Sequence, residues 1–318
     1  MGVFHYGPDY PDETYMPHSY QENTIDLGEV VMNYAVAGDP ASPALLLIPG
    51  QTESWWGYEK VMGLLAKRFQ CFAVDLRGQG RSTRTPGRYT LDNMGNDLVR
   101  FLALAVKRPA IASGLSSGGL LTAWLSAYGV PGSIRGAIYE DPPLFAAELN
   151  PSCGHSIRQS TGPVWALFAK YLGDQWSVGD WSGLKAAVRR ELPPSLAVVG
   201  ERIIPQVEKP PQELKEYDPE WARATSTGTL AASSDHAQML AAVKVPILYT
   251  HHVRGIDPQS GSLVGAASDQ QAAYACELIR SAGQPVDYRS FPTMGHRMHS
   301  QDPQLFAQTL LEWTSGLG

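Results

Sequence analysis

Short runs of consecutive apolar residues punctuate the first half of the chain: Ala44–Ile48, Cys71–Val74, Ala110–Ala112 and Ala137–Tyr139. Such runs, without polar alternation, suit strands buried on both faces of a sheet. Between them lie segments with apolar positions at helical spacing. Tyr58–Arg68 carries Val61, Met62, Leu64 and Leu65, and Leu91–Val106 repeats Leu, Met, Leu and Phe. Strand alternating with helix predicts an α/β fold, a mostly parallel central sheet flanked by helices on both faces. Upstream, Thr24–Ala37 alternates enough to form an opening antiparallel pair, which leaves residues 1–23 as an N-terminal arm.

The rhythm breaks after the fourth run. From about Pro143 to Val243, Pro, Trp and Leu are scattered, Lys209-Pro210-Pro211 interrupts the chain, and the helical segments Val164–Leu172 and Gly183–Glu191 have no strands between them. This pattern predicts a helical lid over residues 143–243, inserted into a core made of residues 24–142 and 244–318. Strands resume with Pro246–Thr250 and Val286–Phe291, and an amphipathic helix closes the chain at Pro303–Ser315.

Composition narrows the classes of function. In a chain of 318 residues, 43% hydrophobic and 18% charged, there is enough apolar material for a sizeable core and no charge excess that would favour disorder. Asp and Glu number 31 against 25 Lys and Arg, a formal charge of −6 with no basic run, so neither a nucleic acid nor an anionic membrane is an expected partner. Cys71, Cys153 and Cys276 have no metal-like spacing and read as small buried hydrophobes. Together with an N-terminus that lacks a basic start and an apolar run, and the lack of any apolar stretch of membrane-spanning length, they point to a cytoplasmic protein. The expected ligand is a small molecule; a homo-oligomer is left open.

The chemistry is carried first by Gly114-Leu115-Ser116-Ser117-Gly118, a G-x-S-x-G sequence between a candidate strand and a helical run from Gly119 to Tyr128. A serine on a sharp strand-to-helix turn is held in strained backbone angles with its hydroxyl above the sheet, and small residues on either side let neighbouring backbone pass close by. The turn also leaves the Ser117 N–H unpaired at a helix N-terminus, where it can meet an oxyanion. A plain Gly/Ser-rich turn is the bland alternative. It loses ground to Asp75-Leu76-Arg77-Gly78-Gln79-Gly80-Arg81-Ser82, which follows the second apolar run.

With these two motifs the sequence resembles the α/β-hydrolase superfamily, from about Asn33 to the C-terminus and least in the lid. Members of that superfamily often carry D-x-R-G-x-G-x-S in this place. Arg77 or Asp75 would tie that loop down as structural support. The resemblance makes Ile48-Pro49-Gly50-Gln51 the oxyanion loop, with proline where histidine is usual, and adds the Gln51 N–H to that of Ser117. It also places the general base on a late loop, which His296 fits. His251, His252 and His299 read as surface or supporting histidines. The triad acid has two family positions. Glu140 ends the fourth apolar run and is the preferred candidate; Asp257 is second, displaced within a long His251–Asp269 segment, and Asp141 is third. The bland readings are a turn-forming Asp257 before Pro258 and a capping Asp141 before Pro142-Pro143.

The resemblance implies a serine hydrolase acting on a carboxylic ester or lactone, with Ser116, His296 and Glu140 as triad, Gln51 and Ser117 as oxyanion donors, and no metal or cofactor. Glu140, the late loop and the aromatic lid are in addition similar to those of zearalenone lactonases, which open a macrocyclic resorcylic ester. Trp55, Trp56, Trp165, Trp176, Trp181 and Trp221 are candidates to line an apolar pocket or to sit in the core. A carbon–carbon bond hydrolase, an acyltransferase and a hydrolase-like ligand receptor with little turnover stand as alternatives.

Overall fold

The computed structural model describes residues 18–173, 179–203 and 216–317. Eight strands form one sheet in the order β1-β2-β4-β3-β5-β6-β7-β10. The first two, β1 (Glu22–Asp26) and β2 (Val31–Ala37), are the antiparallel opening pair expected from Thr24–Ala37. β2 also runs against β4 (Gln70–Val74), while β3 (Ala44–Ile48), β4, β5 (Ala110–Leu115), β6 (Ile134–Glu140), β7 (Ile247–His251) and β10 (Val286–Ser290) are parallel. Each apolar run of the sequence is a strand, and β3, β5 and β7 are buried along their whole length.

Alternation along β3 shows how the two faces are filled. Leu46 and Ile48 enter a cluster with Leu98, Leu120, Leu121 and Trp124, whereas Leu45 and Leu47 enter another with Tyr58, Met62, Phe306 and Leu310. The first face is covered by α2 (Leu91–Phe101) and α3 (Ser117–Tyr128), the second by α1 (Glu59–Leu65) and the C-terminal helix. Helix α2 starts where Thr90 accepts the Asn93 N–H at 3.2 Å. It runs on through a π-helical turn, Leu102–Val106, that ends at Lys107 in the left-handed region (φ 59°).

Between β6 and β7 the chain forms α4 (Gly162–Leu172), α5 (Trp181–Glu191), α6 (Pro194–Ile203), α7 (Glu220–Ser226) and α8 (His236–Ala241), with no strand among the described residues. Val164, Phe168, Leu184 and Trp221 from these helices share one hydrophobic cluster with Leu91 and Leu120 of the core. Trp55 and Trp221 are fully buried, and Trp165 nearly so; Trp176 and the Lys209-Pro210-Pro211 break lie outside the described residues. After β7 come a small antiparallel hairpin, β8 (Arg254–Ile256) with β9 (Leu263–Gly265), then α9 (Asp269–Ser281), the short α10 (Met298–Gln301) and α11 (Pro303–Thr314). The hairpin was not expected from the sequence. Among the described residues no helix is long and apolar enough to cross a membrane.

Candidate active site

Ser116 joins β5 to α3 with φ 54° and ψ −118°, a conformation that L-residues rarely adopt. Two close approaches make the flanking glycines necessary. A Cβ on Gly114 would lie 2.1 Å from the Gly118 carbonyl oxygen, and one on Gly118 would lie 2.4 Å from that of Ile48. The turn is held from below by its own N–H, which donates to the Glu140 carbonyl at 2.9 Å, continuing the β5–β6 ladder that pairs Leu115 with Glu140. As the first residue of α3, Ser117 has an N–H without a helical acceptor.

The loop after β3 crosses directly over this turn. A Cβ on Gly50 would meet that of Ser116 at 3.3 Å, so Gln51 follows at the edge of the elbow. The Gln51 side chain is fixed at both ends: its Nε2 donates to the Tyr217 hydroxyl at 2.7 Å, and its Oε1 accepts from Thr225 Oγ1 at 2.9 Å. The Asp75–Ser82 segment is tied down as expected. Asp75 accepts from the Trp55 N–H (2.7 Å), Asn33 Nδ2 (2.8 Å) and the Arg81 N–H (3.0 Å), and Arg77 grips Asp97 through Nε (2.6 Å) and Nη2 (2.8 Å). The same segment also anchors the start of α7, since the Arg77 carbonyl accepts from Trp221 Nε1 at 2.9 Å and the Gly78 carbonyl accepts the Asp218 N–H at 2.8 Å.

The acid is where the structure departs from expectation. His296 Nδ1 lies 2.6 Å from Asp141 Oδ2, and the other oxygen of Asp141 accepts the His252 N–H at 2.9 Å. Glu140, the preferred candidate, instead bonds His299, through Nδ1 at 2.9 and 3.1 Å and the backbone N–H at 3.0 Å. The reason is strand parity. Side chains of one strand alternate between faces. Glu140 therefore shares the face of Ile138, which belongs to the cluster under α1 and α11. Asp141, just beyond the strand end with φ 43°, turns over the upper edge of the sheet. Asp257, the second candidate, is not brought to His296: its Oδ1 accepts the N–H groups of Gln259 (2.9 Å) and Ser260 (2.7 Å) and so forms the β8–β9 turn.

Electrostatics follow these contacts. Burial disfavours a charged Asp141, yet the hydrogen bond and charge of His296 outweigh it and hold the carboxyl below its ordinary pKa. Desolvation likewise opposes protonation of His296, but Asp141 overcomes it and raises the imidazole pKa. His252, read from the sequence as a surface or supporting histidine, is buried beside the pair; its Nδ1 lies 3.1 Å from the His296 carbonyl and its Nε2 3.1 Å from Thr250 Oγ1. His251 is occupied by Tyr288 (2.8 Å) and the Ala267 carbonyl (2.9 Å). Among the described residues no three His, Cys, Asp or Glu side chains are grouped as metal ligands.

A turn that strains a serine above a parallel sheet, with a late histidine bonded to a carboxylate at the next strand end, is the architecture that the sequence motifs implied. Residues 45–309 match the Alpha/beta hydrolase family. The chain belongs to this family. Among curated proteins it is similar to 3-oxoadipate enol-lactonase 2 of Acinetobacter baylyi, 29% identical over 113 residues, which are 35% of this chain and 42% of that protein. It is also similar to a fluoroacetate dehalogenase of a Burkholderia species, 33% identical over 72 residues, 23% of either chain. The chain thus matches less than half the length of each. A solved thermophilic esterase from Thermogutta terrifontis superposes with a TM-score of 0.65 at 19% identity, covering 93% of this chain and 99% of that one, which speaks to the fold.

Proposed function

We propose that this α/β hydrolase cleaves a carboxylic ester or lactone through an acyl-enzyme on Ser116. His296 takes the Ser116 proton, Asp141 holds the imidazole in the tautomer that can do so, and the backbone N–H groups of Gln51 and Ser117 receive the oxyanion. Each such donor contributes about 3 kcal/mol to transition-state stabilisation. His296 then returns its proton to the leaving alcohol and activates the water that releases the acid. The observation that carries the reading is Ser116 at φ 54° on the β5–α3 turn, with the His296–Asp141 pair anchored to the next strand.

A serine at this turn favours acyl transfer over the alkyl displacement of a dehalogenase, which needs a carboxylate nucleophile. The described helices between β6 and β7 form the cap over the site in this reading, and Gln51 is its bolt to the core through Tyr217 and Thr225. The Cys71, Cys153 and Cys276 thiols are all free, in keeping with a reducing, cytoplasmic setting. The finer substrate is a lactone, with the macrocycle zearalenone as one case. Glu140, on which the likeness to zearalenone lactonases drew, bonds His299 and not His296, so the lactone reading rests on the family and on the Ser116 turn.

A hydrolysis screen tests this directly, using short p-nitrophenyl esters and a lactone panel that includes zearalenone, wild type against Ser116→Ala. Ester or lactone turnover that vanishes with Ser116 is the expected result. Turnover only of a diketone would favour a carbon–carbon hydrolase, transfer to an added alcohol an acyltransferase, and binding without turnover a receptor.

A further inference from the structure

Beneath the elbow lies a second group of ionisable side chains that the proposed reaction does not use. Glu140 and His299 are fully buried and Glu53 is 3% exposed. His299 Nδ1 is 2.9 Å from Glu140 Oε2, and its Nε2 faces Glu53 Oε1 at 3.9 Å with no hydrogen-bond partner. The ring stacks on Tyr58, with centroids 4.1 Å apart, and meets the edge of Phe306. Glu53 in turn accepts the Gly50 N–H at 3.1 Å and Arg297 Nη1 at 3.3 Å.

Each member is joined to a different part of the site. The Glu140 carbonyl holds the Ser116 N–H, and the next residue is Asp141. Glu53 holds Gly50, the residue that crosses Ser116 and precedes Gln51. His299 lies three residues after His296 on the same short loop and helix. We propose that His299 is a positioning residue which joins Glu140 to Glu53 and thereby fixes the three segments carrying Ser116, Gln51 and His296. The inference rests on reading Ser116 as the nucleophile.

The chemistry of the ring explains why a histidine serves here. A neutral imidazole has one N–H and one lone pair. With Nδ1–H on Glu140, its Nε2 lone pair would face the Glu53 carboxylate, two buried acceptors opposed. An imidazolium has a donor for each carboxylate. Burial disfavours that charge, but Glu140 and then Glu53 outweigh it and raise the His299 pKa, with Arg297 acting the other way. The reciprocal effect appears at Glu140, where burial is overcome by His299 and, more weakly, by His252, leaving the carboxyl below its usual value. Tyr58, the remaining titratable neighbour, is held neutral by burial and by the charges of Glu140 and Glu53.

The test compares wild type, Ser116→Ala, His299→Gln and Glu53→Gln by steady-state kinetics on a p-nitrophenyl ester from pH 6 to 10, with circular dichroism to confirm folding. His299→Gln should lower kcat by about 10- to 100-fold with KM within about threefold, as expected when reacting groups shift by a fraction of an ångström. Glu53→Gln preserves shape and removes one charge. It should move the alkaline decline of kcat to lower pH by about one unit, because His299 then loses its proton sooner. A solely structural role would not move that limb. If wild type turns over with dependence on Ser116 while His299→Gln keeps its kcat, or Glu53→Gln leaves the alkaline limb in place, the inference is overturned and the hydrolase reading stands. If wild type does not turn over, both fall.

Discussion

Replacing Asp141 with Asn separates the carboxylate that bonds His296 from Glu140, the acid that the sequence favours. The variant keeps size and shape, so its effect is read from hydrogen bonds. Asp141 Oδ1 accepts the His252 N–H and Oδ2 meets His296 Nδ1. An asparagine has one acceptor oxygen, and the fixed backbone N–H of His252 will claim it. The amide NH2 is then turned toward His296 Nδ1 and must be met by a lone pair there, which places the ring proton on Nε2. That tautomer cannot take the Ser116 proton. The expected loss is about 10⁴-fold in kcat at neutral pH, as for a wrong-tautomer triad, or about 5 kcal/mol of barrier. Glu140→Gln can still accept the His299 N–H and should lose about tenfold or less. Initial rates on a p-nitrophenyl ester, with melting curves to show both variants folded, decide between them. If Asp141→Asn stays within about tenfold of wild type while Glu140→Gln loses about a thousandfold or more, the reasoning from geometry is refuted.

Three further outcomes follow from the same contacts. Gly118→Ala would drive a Cβ to within 2.4 Å of the Ile48 carbonyl oxygen, backbone that cannot rotate away, so a loss of about 2–3 kcal/mol in stability is expected by denaturant titration, and an unchanged midpoint would argue against the elbow packing. Because Asp141 raises the His296 pKa against the opposing effect of desolvation, and the base must be neutral to act, kcat/KM should fall as pH drops through a midpoint above about 6.5. A midpoint below that value, or one that does not fall in Asp141→Asn, would contradict the pairing. Burial pushes the thiols of Cys71 to about 12 and Cys276 to about 11, so iodoacetamide at pH 8 should label at most the half-buried Cys153 in the native protein and all three after denaturation, as read by mass spectrometry.

Much of the fold was legible because a parallel sheet buried on both faces writes itself as apolar runs, and those of Ala44–Ile48 and Ala110–Ala112 lie within strands β3 and β5. Ser116 was legible for a different reason: the turn leaves no room for a Cβ at Gly114 or Gly118, where backbone oxygens would lie 2.1 and 2.4 Å from it, so the serine is framed by glycines. The choice between Glu140 and Asp141 was not legible, and the cause is the same double burial. In a strand with one wet face, polar positions reveal which residues point where; in β6, Ala137, Ile138 and Tyr139 are all apolar, so parity is hidden. What turns Asp141 toward His296 is a left-handed residue at the strand end, a feature that an aspartate tolerates but does not announce. The β8–β9 hairpin was missed because its strands are three residues each and its turn is built by Asp257, which the sequence also offered as second candidate for the triad acid.

If Ser116 attacks an acyl carbon, it carries the acyl group between the two halves of the reaction, and that intermediate can be trapped. Wild type mixed with excess p-nitrophenyl ester and acid-quenched within milliseconds should show one added acyl group by intact mass, located by peptide mapping to the segment containing Ser116, and no adduct in Ser116→Ala. An adduct on another residue, or ester turnover that persists in Ser116→Ala, would contradict the account.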